Sequence, residues 1–94
     1  MRPLVSILIP AYNAEQWIAD SIRSAAQQTW SRKEIIIVDD GSSDDTWKQV
    51  ERLRESYKEI RGIRFSRNFG KDSAICVGLA ECAGDAALIL DADF

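Results

Sequence analysis

Ile35-Ile36-Ile37-Val38-Asp39-Asp40-Gly41-Ser42 decides the fold. Four consecutive β-branched residues leave no polar face, so the strand they form is buried on both sides. A strand of that kind belongs in a mostly parallel sheet with helices on either face. It then breaks into acidic and turn-forming residues. Ser42 stands three residues before Asp45, the spacing of a capping box, so a helix is expected to follow. That helix runs to about Tyr57, with Trp47, Val50 and Leu53 or Arg54 toward the core.

The same alternation extends in both directions. Leu4-Val5-Ser6-Ile7-Leu8-Ile9 is the first strand, and Pro10 is expected to end it because proline cannot donate to the ladder. A helix from about Ala14 to Gln28 places Trp17, Ile18, Ile22, Ala25 and Ala26 on one stripe. The third strand is short, about Ile63 to Ser66. A third helix spans Lys71 to Ala83, with Ala74, Gly78 and Cys82 as a small-residue face and Gly84 as its C-terminal cap. Ala86 to Leu90 is an apolar run read as a fourth, buried strand, and Asp91-Ala92-Asp93 follows it. The expected architecture is one α/β domain, a Rossmann-like three-layer sandwich around a mostly parallel sheet.

Composition narrows the chemistry. The 94 residues suffice for one small domain, and 46% hydrophobic with 29% charged residues is ordinary for a soluble globular chain. A net charge of -3 without a Lys/Arg run gives no support for a nucleic-acid partner. The absence of histidine excludes a His-based triad and a His zinc site. Any metal would be held by oxygen, which favours magnesium, manganese or calcium. Cys76 and Cys82 fall on different faces of one helix, about 9 Å apart along its axis and too far for a disulfide. They read as small buried hydrophobes in a reducing compartment. Met1-Arg2-Pro3 leads straight into a strand, with no signal peptide, and no apolar stretch approaches the ~20 residues that span a bilayer. A cytoplasmic location is expected.

In open α/β sheets, ligands bind outside the carboxyl ends of the strands. Polar or special residues follow every strand here, and right-handed crossovers would gather them on one rim. Tyr12 has the flat face to pack on a base, with Pro10 and Ala11 shaping the slot; a half-buried strand-end tyrosine is the ordinary alternative. One of Asp39 and Asp40 could accept the ring N–H of a base while the other caps a turn, although Asp-Gly-Ser is a common turn in its own right. Arg67 and Lys71 flank Gly70 and suit a diphosphate, helped by the positive end of the third helix; the alternative is an exposed basic turn. Asp91 and Asp93 are two apart at the end of a strand, so both face one side and repel unless a cation lies between them; a solvated acidic turn is the alternative. Trp17 and Trp47 belong to the core.

Taken together these stretches resemble the family 2 glycosyltransferases, which have the GT-A nucleotide-sugar-binding fold. The matching residues are Val5 to Asn13, Ile36 to Asp44, Arg67 to Lys71, Gly84-Asp85 and Asp91-Ala92-Asp93, in the family's order and spacing. The resemblance implies strand order 3-2-1-4 and a donor slot lined by Pro10, Ala11 and Tyr12. It implies that Asp39 contacts the base and that Arg67 and Lys71 lie near the base or diphosphate. Asp91 would sit near the ribose or the metal, and Asp93 would be the direct ligand of Mg2+ or Mn2+. The implied partners are a UDP- or GDP-sugar and a polyprenyl phosphate or saccharide acceptor. Phe65 to Asp72 looks most like the enzymes that glycosylate polyprenyl or dolichyl phosphate, whose reaction would lie at the cytoplasmic membrane face. Family catalytic domains run well beyond this length, so residues 1–94 would be the donor-binding region of a truncated domain. The acceptor side and catalytic base would lie beyond Phe94, leaving this chain inactive by itself and its fourth strand an edge open to self-association. A phosphoacceptor receiver domain also ends a strand in Asp-Asp, but on its first strand. A sugar-nucleotide pyrophosphorylase needs a glycine-rich basic loop after the first strand, which Pro10 to Asn13 does not supply. A noncatalytic assembly module is the remaining alternative.

Overall fold

The computed structural model of the chain describes residues 3–30 and 32–91. Asp93 lies outside them, and with it the expected pairing of Asp91 and Asp93. Seven elements alternate along the described chain: β1 (Val5–Ala11), α1 (Ile18–Ala26), β2 (Lys33–Asp39), α2 (Thr46–Ser56), β3 (Ile60–Arg64), α3 (Lys71–Glu81) and β4 (Ala86–Ile89). The sheet order is β3-β2-β1-β4 and every pairing is parallel. The expected α/β class and strand order 3-2-1-4 are both observed.

The two faces of β2 build two cores. Ile35 and Ile37 join Ile7, Ile9, Ile18, Ile22 and Val50 on the face covered by α1 and α2. Ile36 and Val38 join Leu8 and Ala74 on the face covered by α3. Every residue of β2 from Ile35 to Asp39 is buried. Each buried isoleucine contributes about 1.5–3 kcal/mol, so this strand anchors both layers. The small-residue face of α3 meets the sheet as expected. A Cβ at Gly78 would lie 2.2 Å from Leu8 Cδ1, so only hydrogen allows the helix this close.

Several local expectations are corrected. β1 continues through Pro10 to Ala11. The Leu90 N–H donates to the Leu8 carbonyl on the β4 side, and the Asp40 N–H donates to the Ala11 carbonyl on the β2 side. Alternate residues turn their backbone groups to opposite neighbours, so Pro10 faces the β4 side; without its N–H the ladder to β4 stops after the Leu8–Ile89 pair, while the ladder to β2 runs on to Ala11. α1 begins at Ile18, after a turn in which the Trp17 and Ile18 amides both donate to the Ala14 carbonyl. β3 begins at Ile60 rather than Ile63, because Gly62 lets Trp47 lie on the strand: a Cβ there would be 2.9 Å from Trp47 Cη2. The capping box does not form. α2 starts at Thr46 without a side-chain cap, and Asp44 accepts the Thr46 N–H at 3.0 Å and the Glu15 N–H at 3.2 Å. Gly84 is not a left-handed cap. It brings the chain against β1, where its N–H donates to Ser6 Oγ at 2.9 Å. β4 is not buried: all four of its residues are exposed. Cys76 is exposed and Cys82 half-buried, both as free thiols. Among the described residues, no helix is long and apolar enough to cross a membrane.

The amino end of the sheet is closed by Glu34. Its carboxylate accepts the Ser6 hydroxyl at 2.5 Å and the Ala83 N–H at 2.7 Å, with Arg61 at 3.5 Å. These bonds tie the end of α3 to β1 and β2. Burial pushes the carboxyl upward, but the Ser6 and Ala83 bonds and the Arg61 charge outweigh it, and Glu34 is held below its ordinary value of 4.5. A lowered folded-state value means that this stabilisation is fully present above pH 4.5 and is lost as pH falls below it. Urea denaturation across that range should show stability declining in acid, and Glu34→Gln should flatten part of the decline. An unchanged acid limb in the variant would separate Glu34 from it.

Candidate functional site

Parallel pairing puts the carboxyl ends of β1, β2 and β4 on one edge, beside the start of α3. An open cavity of about 310 Å³ lies there. The end of β1 and its turn supply Pro10, Ala11 and Tyr12, and the end of β2 supplies Asp40. The segment before α3 supplies Asn68 and Gly70, and the helix itself Lys71 and Ala74. Asp91, after β4, completes the lining.

The Tyr12 turn is held from behind. Asn13 adopts a left-handed φ of 47°, a conformation that asparagine tolerates better than most residues. Its N–H donates to Ser42 Oγ at 2.8 Å, and its Oδ1 accepts the Ser43 N–H at 2.9 Å. The next amide, Ala14, donates to the buried Thr46 Oγ1 at 2.8 Å. These bonds fix the backbone around Tyr12 while leaving its ring 47% exposed at the cavity.

The two aspartates after β2 have opposite environments. Asp39 has no exposed surface and does not line the cavity. Its Oδ1 accepts the Ser42 N–H at 3.1 Å and the Ser42 hydroxyl at 2.5 Å. Its Oδ2 is buried with no hydrogen-bond partner among the described residues. Asp40 is 3% exposed and saturated. Its Oδ1 accepts the Phe69 N–H at 2.8 Å, and its Oδ2 accepts the Gly70 N–H at 3.0 Å and Asn68 Nδ2 at 3.1 Å. Those amides stand at the start of α3. The carboxylate thus holds the turn that leads into the helix whose positive end was expected to receive a phosphate.

The basic residues divide as well. Lys71 Nζ forms an ion pair with Asp91 at the cavity, so the cation and the anion expected to meet a ligand meet each other. Arg67 is outside the lining, its guanidinium 4.8 Å from the centre of the Phe69 ring. The structure thus brings together Pro10, Ala11, Tyr12, Lys71 and Asp91, and leaves Asp39 and Arg67 outside the cavity lining. Asn68 had no role in the sequence reading, and Asp40 shared with Asp39 the alternatives of base acceptor and turn cap. The signal for both was Asp-Asp after a buried strand and Arg-Asn-Phe-Gly before a helix. Asp91 is an accessible oxygen donor on the cavity wall, which suits a hard cation in a chain without histidine. Among the described residues, no group of three or more acidic or thiol side chains gathers to hold a metal.

Gly41 locks the two loops together. With φ of 71°, it lies under the crossing chain, and a Cβ would come within 2.2 Å of the Arg67 carbonyl carbon. Comparisons with known proteins match this arrangement. The family model described as "Glycosyl transferase family 2" matches residues 6–94. An undecaprenyl-phosphate 4-deoxy-4-formamido-L-arabinose transferase of Pseudomonas syringae pv. syringae is 39% identical over 93 residues, covering 95% of this chain and 28% of the relative. A mannosyltransferase from Pyrobaculum calidifontis, solved with GDP-Man and Mn2+, superposes with a TM-score of 0.90 at 27% identity, covering 99% of this chain and 28% of the other. S. aureus TarS 1-349 in complex with UDP-GlcNAc superposes with a TM-score of 0.83 at 30% identity, covering 95% of this chain and 26% of the other. This chain therefore spans between a quarter and a third of the length of these proteins. Gly41→Ala should destabilise the fold by about 1–3 kcal/mol through strain and backbone collision, read by chemical denaturation. The Phe69 and Gly70 amides should exchange faster with deuterium, and wild-type exchange in a fully folded variant would contradict the interlock.

Proposed function

Because this chain belongs to glycosyl transferase family 2, we propose that its cavity receives a nucleotide-diphospho-sugar and forms the donor side of a glycosyltransferase. The observation that carries this reading is the convergence of Tyr12, Lys71 and Asp91 from separate elements on one rim. Tyr12, with Pro10 and Ala11 beneath it, offers a flat surface for the base. The unpartnered Oδ2 of Asp39 is an acceptor that a base N–H would satisfy. Lys71, released from Asp91, supplies positive charge to the diphosphate, and Arg67 extends that charge outside the cavity.

Asp91 and Asp93 are the residues to hold Mg2+ or Mn2+, which when bound neutralises the leaving diphosphate. A mannosyltransferase of the same fold solved with GDP-Man and Mn2+ supports a divalent cation beside the donor. An acceptor hydroxyl or phosphate would then attack the anomeric carbon with inversion. A polyprenyl phosphate is favoured by the undecaprenyl-phosphate relative, and a saccharide is the second candidate. A phosphate acceptor is already anionic, whereas a hydroxyl needs a general base. The chain spans between a quarter and a third of the length of its relatives, so alone it should bind its donor without efficient transfer. The reaction is assigned to the cytoplasm.

Calorimetry with UDP, GDP and CDP, with and without Mn2+, tests base choice and metal dependence together. Lys71→Ala should weaken diphosphate binding about tenfold, equivalent to ~1.4 kcal/mol, and leave nucleoside binding unchanged. No binding of any nucleoside diphosphate would overturn the donor-site reading. The outer edge of β4 is a second consequence. Leu88 is 47% and Ile89 44% exposed, on a strand whose pairing among the described residues is to β1 alone. The isolated chain should self-associate through Ala86 to Leu90. Sedimentation showing a monomer at high concentration would refute this.

A further inference from the structure

We infer that Asp40 is a positioning residue of the donor site, acting on the diphosphate through the segment that leads into α3. The inference rests on the donor-site reading and adds a residue whose carboxylate oxygens are engaged by the chain itself. Three donors from that segment converge on its carboxylate: Asn68 Nδ2, the Phe69 N–H and the Gly70 N–H. Asn68 Nδ2 also reaches the Asp40 carbonyl at 3.3 Å. The residue is 3% exposed, so water does not compete for these bonds, and hydrogen bonds to an ionised group are about twice as strong as neutral ones.

What the carboxylate fixes is the residue just beyond. Gly70 is the N-cap of α3, with φ of 104° and ψ of 155°, a conformation that favours glycine. A Cβ at Gly70 would meet nothing within 4 Å, so no side-chain packing holds this position. The Asp40 bonds to Phe69 and Gly70 do. Lys71 follows immediately, and its ammonium group reaches Asp91 across the cavity. The direction of that side chain therefore depends on a bond made by a residue thirty positions earlier.

The carboxylate takes up the Phe69 and Gly70 N–H groups, which precede the first helical residue, Lys71. Asp40 thereby fixes the approach to the helix and aims the cation that begins it.

The test compares the chain with Asp40→Ala and Asp40→Asn. Three readouts are needed: thermal unfolding, deuterium exchange at Phe69 and Gly70, and calorimetry with UDP, GDP and the corresponding nucleosides in Mn2+. In Asp40→Ala, the Phe69 and Gly70 amides should lose protection and diphosphate affinity should fall about tenfold, with nucleoside affinity unchanged. Asp40→Asn keeps the shape and one acceptor oxygen, so it should lie between the two and guards against a folding failure in Asp40→Ala. Unchanged diphosphate affinity in both variants overturns the positioning role. A rise in diphosphate affinity overturns it too, because the freed amides would then be the phosphate cradle. A wild-type chain that binds no nucleoside diphosphate overturns the donor-site reading itself, and this role with it.

Discussion

Burial of β2 on both faces is the constraint on which the molecule depends. A strand with no solvent face must have helices above and below it, and those helices serve as crossovers between parallel neighbours. Parallel pairing in turn sends the carboxyl ends of β1, β2 and β4 to the same edge. The register places Ala11 beside Asp39, so the turn carrying Tyr12 and the turn carrying Asp40 leave the sheet side by side. The cavity is a result of that register, and no residue within it needs to be unusual.

The polar groups at this edge form one accounting. Residues 13–15 and 42–46 exchange bonds between backbone amides and the Ser42, Asn13, Asp44 and Thr46 side chains. Asp40 does the same for residues 68–70. Buried backbone donors must be satisfied, and in these loops side chains satisfy them where no ladder can. Rigid loops result, and rigid loops let Tyr12 and Lys71 present exposed groups in fixed directions. Among the described residues of this edge, Asp39 Oδ2 is the exception, a buried acceptor without a donor. A lone unsatisfied group inside an otherwise saturated network is the feature most in keeping with a ligand that brings a donor.

The charged groups of the cavity have partners within the chain. Lys71 pairs with Asp91, and Asp40 accepts hydrogen bonds from residues 68–70. Both members of the Lys71–Asp91 pair are about half exposed, so the pair is weak and easily exchanged. A diphosphate with its cation would offer each member a stronger partner. By contrast, the Glu34 cluster lies at the amino end of the sheet and serves only to hold the end of α3. The two ends of one sheet thus use carboxylates differently, one for anchorage and the other for exchange.

By itself the sequence determined the order of strands and helices, the doubly buried β2, the small-residue face of α3 and the rim to which chemistry is confined. Those features follow from local periodicity and side-chain volume, which are written residue by residue. It also pointed to Tyr12, Lys71 and Asp91. Tertiary structure alone decided which of two adjacent aspartates is buried and unsatisfied and which one grips the start of α3, because their partners lie up to thirty residues away. It also set Arg67 aside on Phe69, carried β1 past Pro10, and left β4 exposed. In each case the outcome depends on where distant backbone groups and neighbouring strands end, and no pattern in the chain records those positions.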